Sequence, residues 1–152
     1  MTRAVEIVVL DPRLREWGLP RHQSTSAAAI DLHACLDDTL TLQPGAASVL
    51  IPAGFAMHIA DPGLAGLIVP RSGAGHRRGL ALGNTVGVID ADYTGPILLS
   101  IWNRGFNALV IVPGERIAQL LFVPIARVTL AEVAAFSLET ERGAGGFGST
   151  GL

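Results

Sequence analysis

The chain has 152 residues, 49% of them hydrophobic and 16% charged, and its 11 cations against 13 carboxylates give a net charge of −2. Such a length supports a hydrophobic core without disulfide or metal staples, and the charge balance excludes both a strongly basic nucleic-acid footprint and an acidic disordered tail. All 11 cations are arginine, which excludes Schiff-base chemistry and a P-loop lysine, and the lone Cys35 excludes an internal disulfide and a multi-cysteine zinc site. The apolar excess, with no run near the ~20 residues of a membrane helix, points to surface buried against other subunits rather than lipid. The first ten residues carry Glu6 inside their apolar run and no small-residue cleavage pattern. They do not read as a signal peptide, and the chain reads as cytoplasmic.

Glycine and proline, 18 and 9 residues, fall as punctuation between short runs of Val, Ile and Leu. Short apolar runs at such spacing predict an all-β sandwich or barrel. In chain order the predicted strands are 4–10, 30–36, 39–43, 47–51, 54–60, 64–69, 86–90, 96–103, 108–112 and 117–123. In 30–36 the residues Ile30, Leu32, Ala34 and Leu36 are apolar, whereas Asp31 and His33 face the other way. Segments 86–90 and 97–101 read as the two arms of a β-hairpin with Asp90 and Asp92 near its tip. Only 131–136 could form a helical turn. No linker or repeat divides the chain, so residues 1–152 read as one domain. Within it, 142–152 reads as a mobile arm, because glycine loses the most backbone entropy on ordering.

Three segments hold polar groups that a core does not need. In the first, a strand ends in Arg71 and Ser72, followed by Gly73 and Gly75. A guanidinium fork, a hydroxyl and exposed amides suit phosphate oxygens, although an ordinary turn with a surface arginine has the same composition. In the second, Asp90 and Asp92 lie beside the sole tyrosine, Tyr93, and a carboxylate there could act as general base on water. Asp and Gly also favour solvated turns for local reasons. The third is the glycine-rich arm, whose functional side chains are Arg142, Phe147, Ser149 and Thr150, suited to phosphate and to a ring; a frayed terminus is the plainer alternative.

With Ala27–Leu32 before them and Gly114–Leu120 between the second and third, these segments resemble the five ordered motifs of the trimeric dUTPases, of the bacterial type. The resemblance extends to Ala60-Asp-Pro62, Trp102-Asn-Arg104 and Phe122-Val-Pro124, close to the whole chain. It implies a jelly-roll-like β subunit, a homotrimer with active sites at subunit interfaces, and hydrolysis of dUTP to dUMP and pyrophosphate with Mg²⁺. It further implies that Asp90 deprotonates the water attacking the α-phosphorus, and that Tyr93 packs under the deoxyribose and excludes a 2′-hydroxyl. The stretch from Asn84 to Leu98 would hold uracil, largely through backbone groups around Val88 and Ile89. Arg71, Ser72, Gly73 and Gln119 would contact phosphates or the attacking water. Phe147 would stack on uracil, with Arg142, Ser149 and Thr150 on phosphate, and Asp31 would touch the metal only through its waters.

The chain departs from the family pattern at Ala29, where glycine is usual, and Pro96 removes one ladder donor just past the 86–101 tip. Strand parity places Arg116 and Gln119 on opposite faces, which predicts a structural ion pair with a carboxylate for Arg116. His22, His33, His58 and His76 lack metal-ligand spacing, and His33 reads as a satisfied structural histidine. Two other functions are compatible with the fold: a dCTP deaminase-like enzyme, against which the Phe147-bearing arm and the Asp90–Tyr93 segment argue, and a nucleotide-responsive regulatory binding protein, which would have no need of Asp90, Tyr93 and Gln119 together.

Overall fold

The computed structural model describes residues 4–146. Ten strands carry the architecture: β1 (Glu6–Val9), β2 (Ile30–His33), β3 (Leu40–Leu42), β4 (Val49–His58), β5 (Leu64–Pro70), β6 (Leu80–Leu82), β7 (Gly87–Ile89), β8 (Pro96–Asn103), β9 (Leu109–Ile111) and β10 (Arg116–Pro124). They form two four-stranded antiparallel sheets, ordered β1-β4-β8-β6 and β2-β10-β5-β7, and a two-stranded β3-β9 ribbon. Inward residues of both sheets, among them Ile51, Phe55, Leu99 and Ile101 from one and Leu32, Ile68 and Leu120 from the other, share one buried core. The all-β reading is borne out.

Period-2 patterning explains the core. Along β8, Ile97, Leu99, Ile101 and Asn103 are buried while Pro96, Leu98 and Trp102 are exposed. Buried Asn103 is fully used: its Nδ2 donates to the carbonyls of Leu42 and Asn107, each at 2.9 Å, and its Oδ1 accepts the Gly105 N–H at 2.9 Å. Pro96 stands first in β8, where a missing N–H is tolerated.

Several expectations need correction. Segments 47–51 and 54–60 are one strand, β4, whose register against β8 shifts between Pro52 and Ala56. Gly54 sits at this irregularity with φ +83, and a Cβ there would lie 2.4 Å from Cys35 Sγ. The 86–101 segment is not a paired hairpin: β7 pairs with β5 in one sheet, whereas β8 pairs with β4 and β6 in the other. Its arms diverge to different layers, leaving a gap between them.

A short helix, α1 (Arg13–Trp17), forms where the sequence predicts no element, and a second, α2 (Ser72–Arg78), replaces the expected turn and leads into β6. Residues 131–136 form bends rather than a helical turn. Val128, Leu130, Val133, Phe136 and Leu138 all lie exposed in that region. Among the described residues no helix is long and apolar enough to cross a membrane.

Candidate active site

The sequence-predicted residues fall into two groups. The first gathers where β2, β10 and β5 meet the start of α2. Asp31 lies opposite Gln119 across the β2–β10 ladder, and Gln119 lies opposite Val69 on β5. Arg71, just past β5, donates from Nε to Asp31 Oδ1 at 2.9 Å and from Nη2 to Oδ2 at 3.4 Å. Its Nη1 donates to the carbonyl of Arg116 at 3.0 Å. Gln119 Nε2 donates to the Pro70 carbonyl at 3.1 Å, which fixes its amide beside Arg71.

Ser72 and Gly73 open α2, so their N–H groups precede the first intrahelical bond and remain available to an anion. The expected amide-bearing turn is therefore a helix start. A Cβ at Gly73 would meet nothing within 4 Å. Bare backbone faces open space there.

Arg116 corrects the parity argument while fulfilling its outcome. Its Nη1 reaches Asp31 Oδ2 at 3.1 Å, the ion pair with a carboxylate that the sequence predicts. A register shift between Arg116 and Ala118 puts two consecutive residues, Ile117 and Ala118, into the core at 0% exposure each. Arg116 and Gln119 consequently share a face. A bulge leaves no trace in residue spacing, so the sequence could not show it.

His33, opposite Arg116, is buried, and its Nδ1 has no hydrogen-bond partner. Burial lowers its pKa from the usual 6.5, the Arg116 charge lowers it further, and Asp31 opposes both. It is a buried histidine packed near Trp17 (ring centroids 6.2 Å apart), not a fully satisfied one.

The second group sits in the gap between β7 and β8. Val88, Ile89, Asp90, Tyr93, Pro96 and Leu98 line a pocket of about 190 Å³. Tyr93 Oη donates to the Pro96 carbonyl at 2.9 Å, and a Cβ at Gly95 would lie 2.5 Å from that oxygen. Gly95, which the sequence marks only as a turn, is what lets the tyrosine ring lie down. On its other side Asp90, with Ala91 and Asp92, borders a second concavity, of about 520 Å³, shared with His58 and Arg127.

Asn84 lies outside the small pocket, in the β6–β7 turn. Its neighbour Thr85 has φ 61, a strained value for a β-branched residue. Arg142 is exposed and donates from Nε to the Gly145 carbonyl at 2.9 Å. Phe147, Ser149 and Thr150 lie outside the described residues.

The two groups are far apart within one chain. Ile89 pairs with Gly66, near the start of β5, whereas Arg71 follows the strand's last residue, Pro70. Five residues at roughly 3.3 Å each separate them by about 16 Å, and Asp90 lies a step further away.

Among the described residues no group of three or more His, Cys, Asp or Glu could hold a metal. Both Asp31 oxygens already accept from arginines. The donor set, one carboxylate among arginines, fits a hydrated Mg²⁺ held mainly by phosphate oxygens.

Comparison with known proteins adds to this geometry. The family model dUTPase matches residues 15–151. The chain is 53% identical to the deoxyuridine 5'-triphosphate nucleotidohydrolase of Xanthomonas oryzae pv. oryzae (strain PXO99A), covering 99% of this chain and 97% of that one. It is 50% identical to the enzyme of the same name from Salmonella newport (strain SL254), covering 99% of each. The Staphylococcus bacteriophage 80alpha dUTPase, solved with dUPNHPP, superposes with TM-score 0.86 at 27% identity over 99% of this chain and 100% of that one. A mutant dUTPase from phage phi11 of S. aureus, described for the coordination of a structural Mg(II) ion, superposes with TM-score 0.77 at 22% identity over 89% of this chain and 99% of that one.

Proposed function

Because this chain belongs to the dUTPase family, we propose that it hydrolyses dUTP to dUMP and pyrophosphate at sites assembled between copies in a homotrimer, with Asp90 as the base. The observation that carries the shared site is the separation of about 16 Å between the Arg71 group and the pocket beside Asp90. A nucleoside triphosphate whose uracil fills the β7–β8 gap has its phosphates near Asp90, so the Arg71, Ser72, Gly73 and Gln119 group that holds them comes from a neighbouring chain. The exposed apolar residues on the outward strand faces, Leu50, Val88, Leu98 and Trp102, support contact with other copies.

In this reading the divergence of β7 and β8 leaves backbone donors and acceptors around Val88 and Ile89 free to pair with the uracil edge. A cytosine would leave such buried polar groups mismatched, which is costly. Tyr93, held flat by its bond to Pro96 and by the missing side chain at Gly95, packs under the sugar and leaves no room for a 2′-hydroxyl. Asp90 takes a proton from water as that water attacks the α-phosphorus.

Gln119, anchored on Pro70, orients the water or a phosphate oxygen. Arg71 and the Ser72 and Gly73 N–H groups stabilise the charge that moves onto the leaving pyrophosphate. Mg²⁺, when bound with the substrate, would supply further charge neutralisation at the phosphates, and Asp31 is the residue that would face its water shell. Arg142, Phe147, Ser149 and Thr150 belong to an arm that closes over the nucleotide.

The test offers dUTP, UTP, dTTP and dCTP separately with Mg²⁺ and follows pyrophosphate and ammonia. Pyrophosphate from dUTP alone is expected. Ammonia from dCTP would replace this reading with a deaminase, and binding of dUTP without turnover would replace it with a regulatory protein.

A further inference from the structure

The β10 bulge brings a second arginine to the phosphate group. Three charged side chains converge on Asp31's position: the carboxylate itself, 12% exposed, with Arg71 at 2.9 Å and Arg116 at 3.1 Å. Arg71 spends a proton from each of its three nitrogens inside the chain, two toward Asp31 and one toward the Arg116 carbonyl. The guanidinium plane is thereby fixed from two sides, and its remaining protons, one on each terminal nitrogen, point away from these partners.

Charge decides what Arg116 adds. Asp31 and Arg71 alone make a neutral pair, which attracts a polyphosphate weakly. With Arg116 the group carries one net positive charge, set among N–H groups at the start of α2. We propose that Arg116 is a positioning residue of the triphosphate subsite: its side chain shares Asp31, so that Arg71, which the Arg116 backbone carbonyl also holds, stays aligned without being neutralised.

The proposal rests on the reading of Arg71 as a phosphate ligand. An isolated ion pair at a half-exposed site would do no more than add a little stability, and its loss would weaken all ligands alike or none. A positioning role makes a sharper demand. Only ligands with phosphates beyond the first should notice Arg116.

The experiment uses the full chain with Arg116→Gln, Arg116→Lys and Arg71→Gln, measuring kcat and KM for dUTP and the inhibition constant of dUMP. For Arg116→Gln the KM for dUTP should rise about 10-fold, the size of one lost charge-assisted contact. Its kcat should fall as well, because a misaligned Arg71 stabilises the leaving pyrophosphate less, whereas the dUMP constant should stay within about 2-fold of the parent. Arg116→Lys should recover part of the loss, because it returns the charge without the fork, and it also serves if Arg116→Gln does not fold. An unchanged KM for dUTP in Arg116→Gln, or equal weakening of dUMP and dUTP, overturns the proposal. If Arg71→Gln raises KM while Arg116→Gln does not, the positioning role alone fails. If Arg71→Gln also leaves KM unchanged, the phosphate reading beneath it fails as well.

Discussion

Mixing two inactive variants tests the shared site most sharply. Asp90→Asn would remove the proposed base and Arg71→Ala the proposed phosphate fork; removal of such a base costs about 10²–10⁴ in turnover. Each variant alone should therefore be close to inactive. The two residues stand about 16 Å or more apart along β5 and β7, so a nucleotide whose α-phosphorus lies at Asp90 does not bring its neighbouring phosphates to Arg71 of the same chain. In the proposed cyclic trimer each site would take Asp90 from one copy and Arg71 from the next. A random equal mixture supplies an intact Asp90 half the time and an intact neighbouring Arg71 half the time, so about one quarter of sites are whole. Co-refolding the denatured variants at equal concentration and assaying pyrophosphate release should recover about a quarter of parental activity. Recovery no greater than that of the separate variants would refute the shared site.

Other expectations follow from single contacts. Gly95→Ala places a methyl 2.5 Å from Tyr93 Oη; it should displace the ring and narrow the preference for dUTP over UTP, measured as the ratio of kcat/KM values, without lowering Tm. Gly54→Ala forces a side chain onto φ +83 and to 2.4 Å from Cys35 Sγ. Left-handed strain of about 1–2 kcal/mol and overpacking of about 1–3 kcal/mol should together lower Tm by roughly 5–15 °C in a thermal melt. Because the folded protein lowers the pKa of His33, the unfolded chain binds more protons in the window just below 6.5. The associated stability is therefore present above that pH and lost as pH falls through it. His33→Phe should flatten the dependence of Tm on pH between about 7 and 5.5, which melts across that range would show.

The strand content was legible because most strands bury one face, as β8 shows with its unbroken alternation. The motif residues were legible because their chemistry is encoded in type and order. Three features were not. The β10 bulge follows from how Ile117 and Ala118 both fill the core, a packing outcome that residue spacing does not register. Residues 87–101 alternate and turn like a hairpin, yet β7 finds β5 and β8 finds β4, since sheet pairing depends on distant partners. The glycines after Arg71 suggested a loop, but α2 forms with Gly79 in the left-handed conformation at its C-terminus.

In the proposed mechanism, water activated by Asp90 attacks the α-phosphorus. Turnover of dUTP in water enriched with oxygen-18, followed by mass spectrometry of both products, reads this directly. One heavy oxygen should appear in dUMP and none in pyrophosphate; label in pyrophosphate would place the attack on the β-phosphorus and contradict the account.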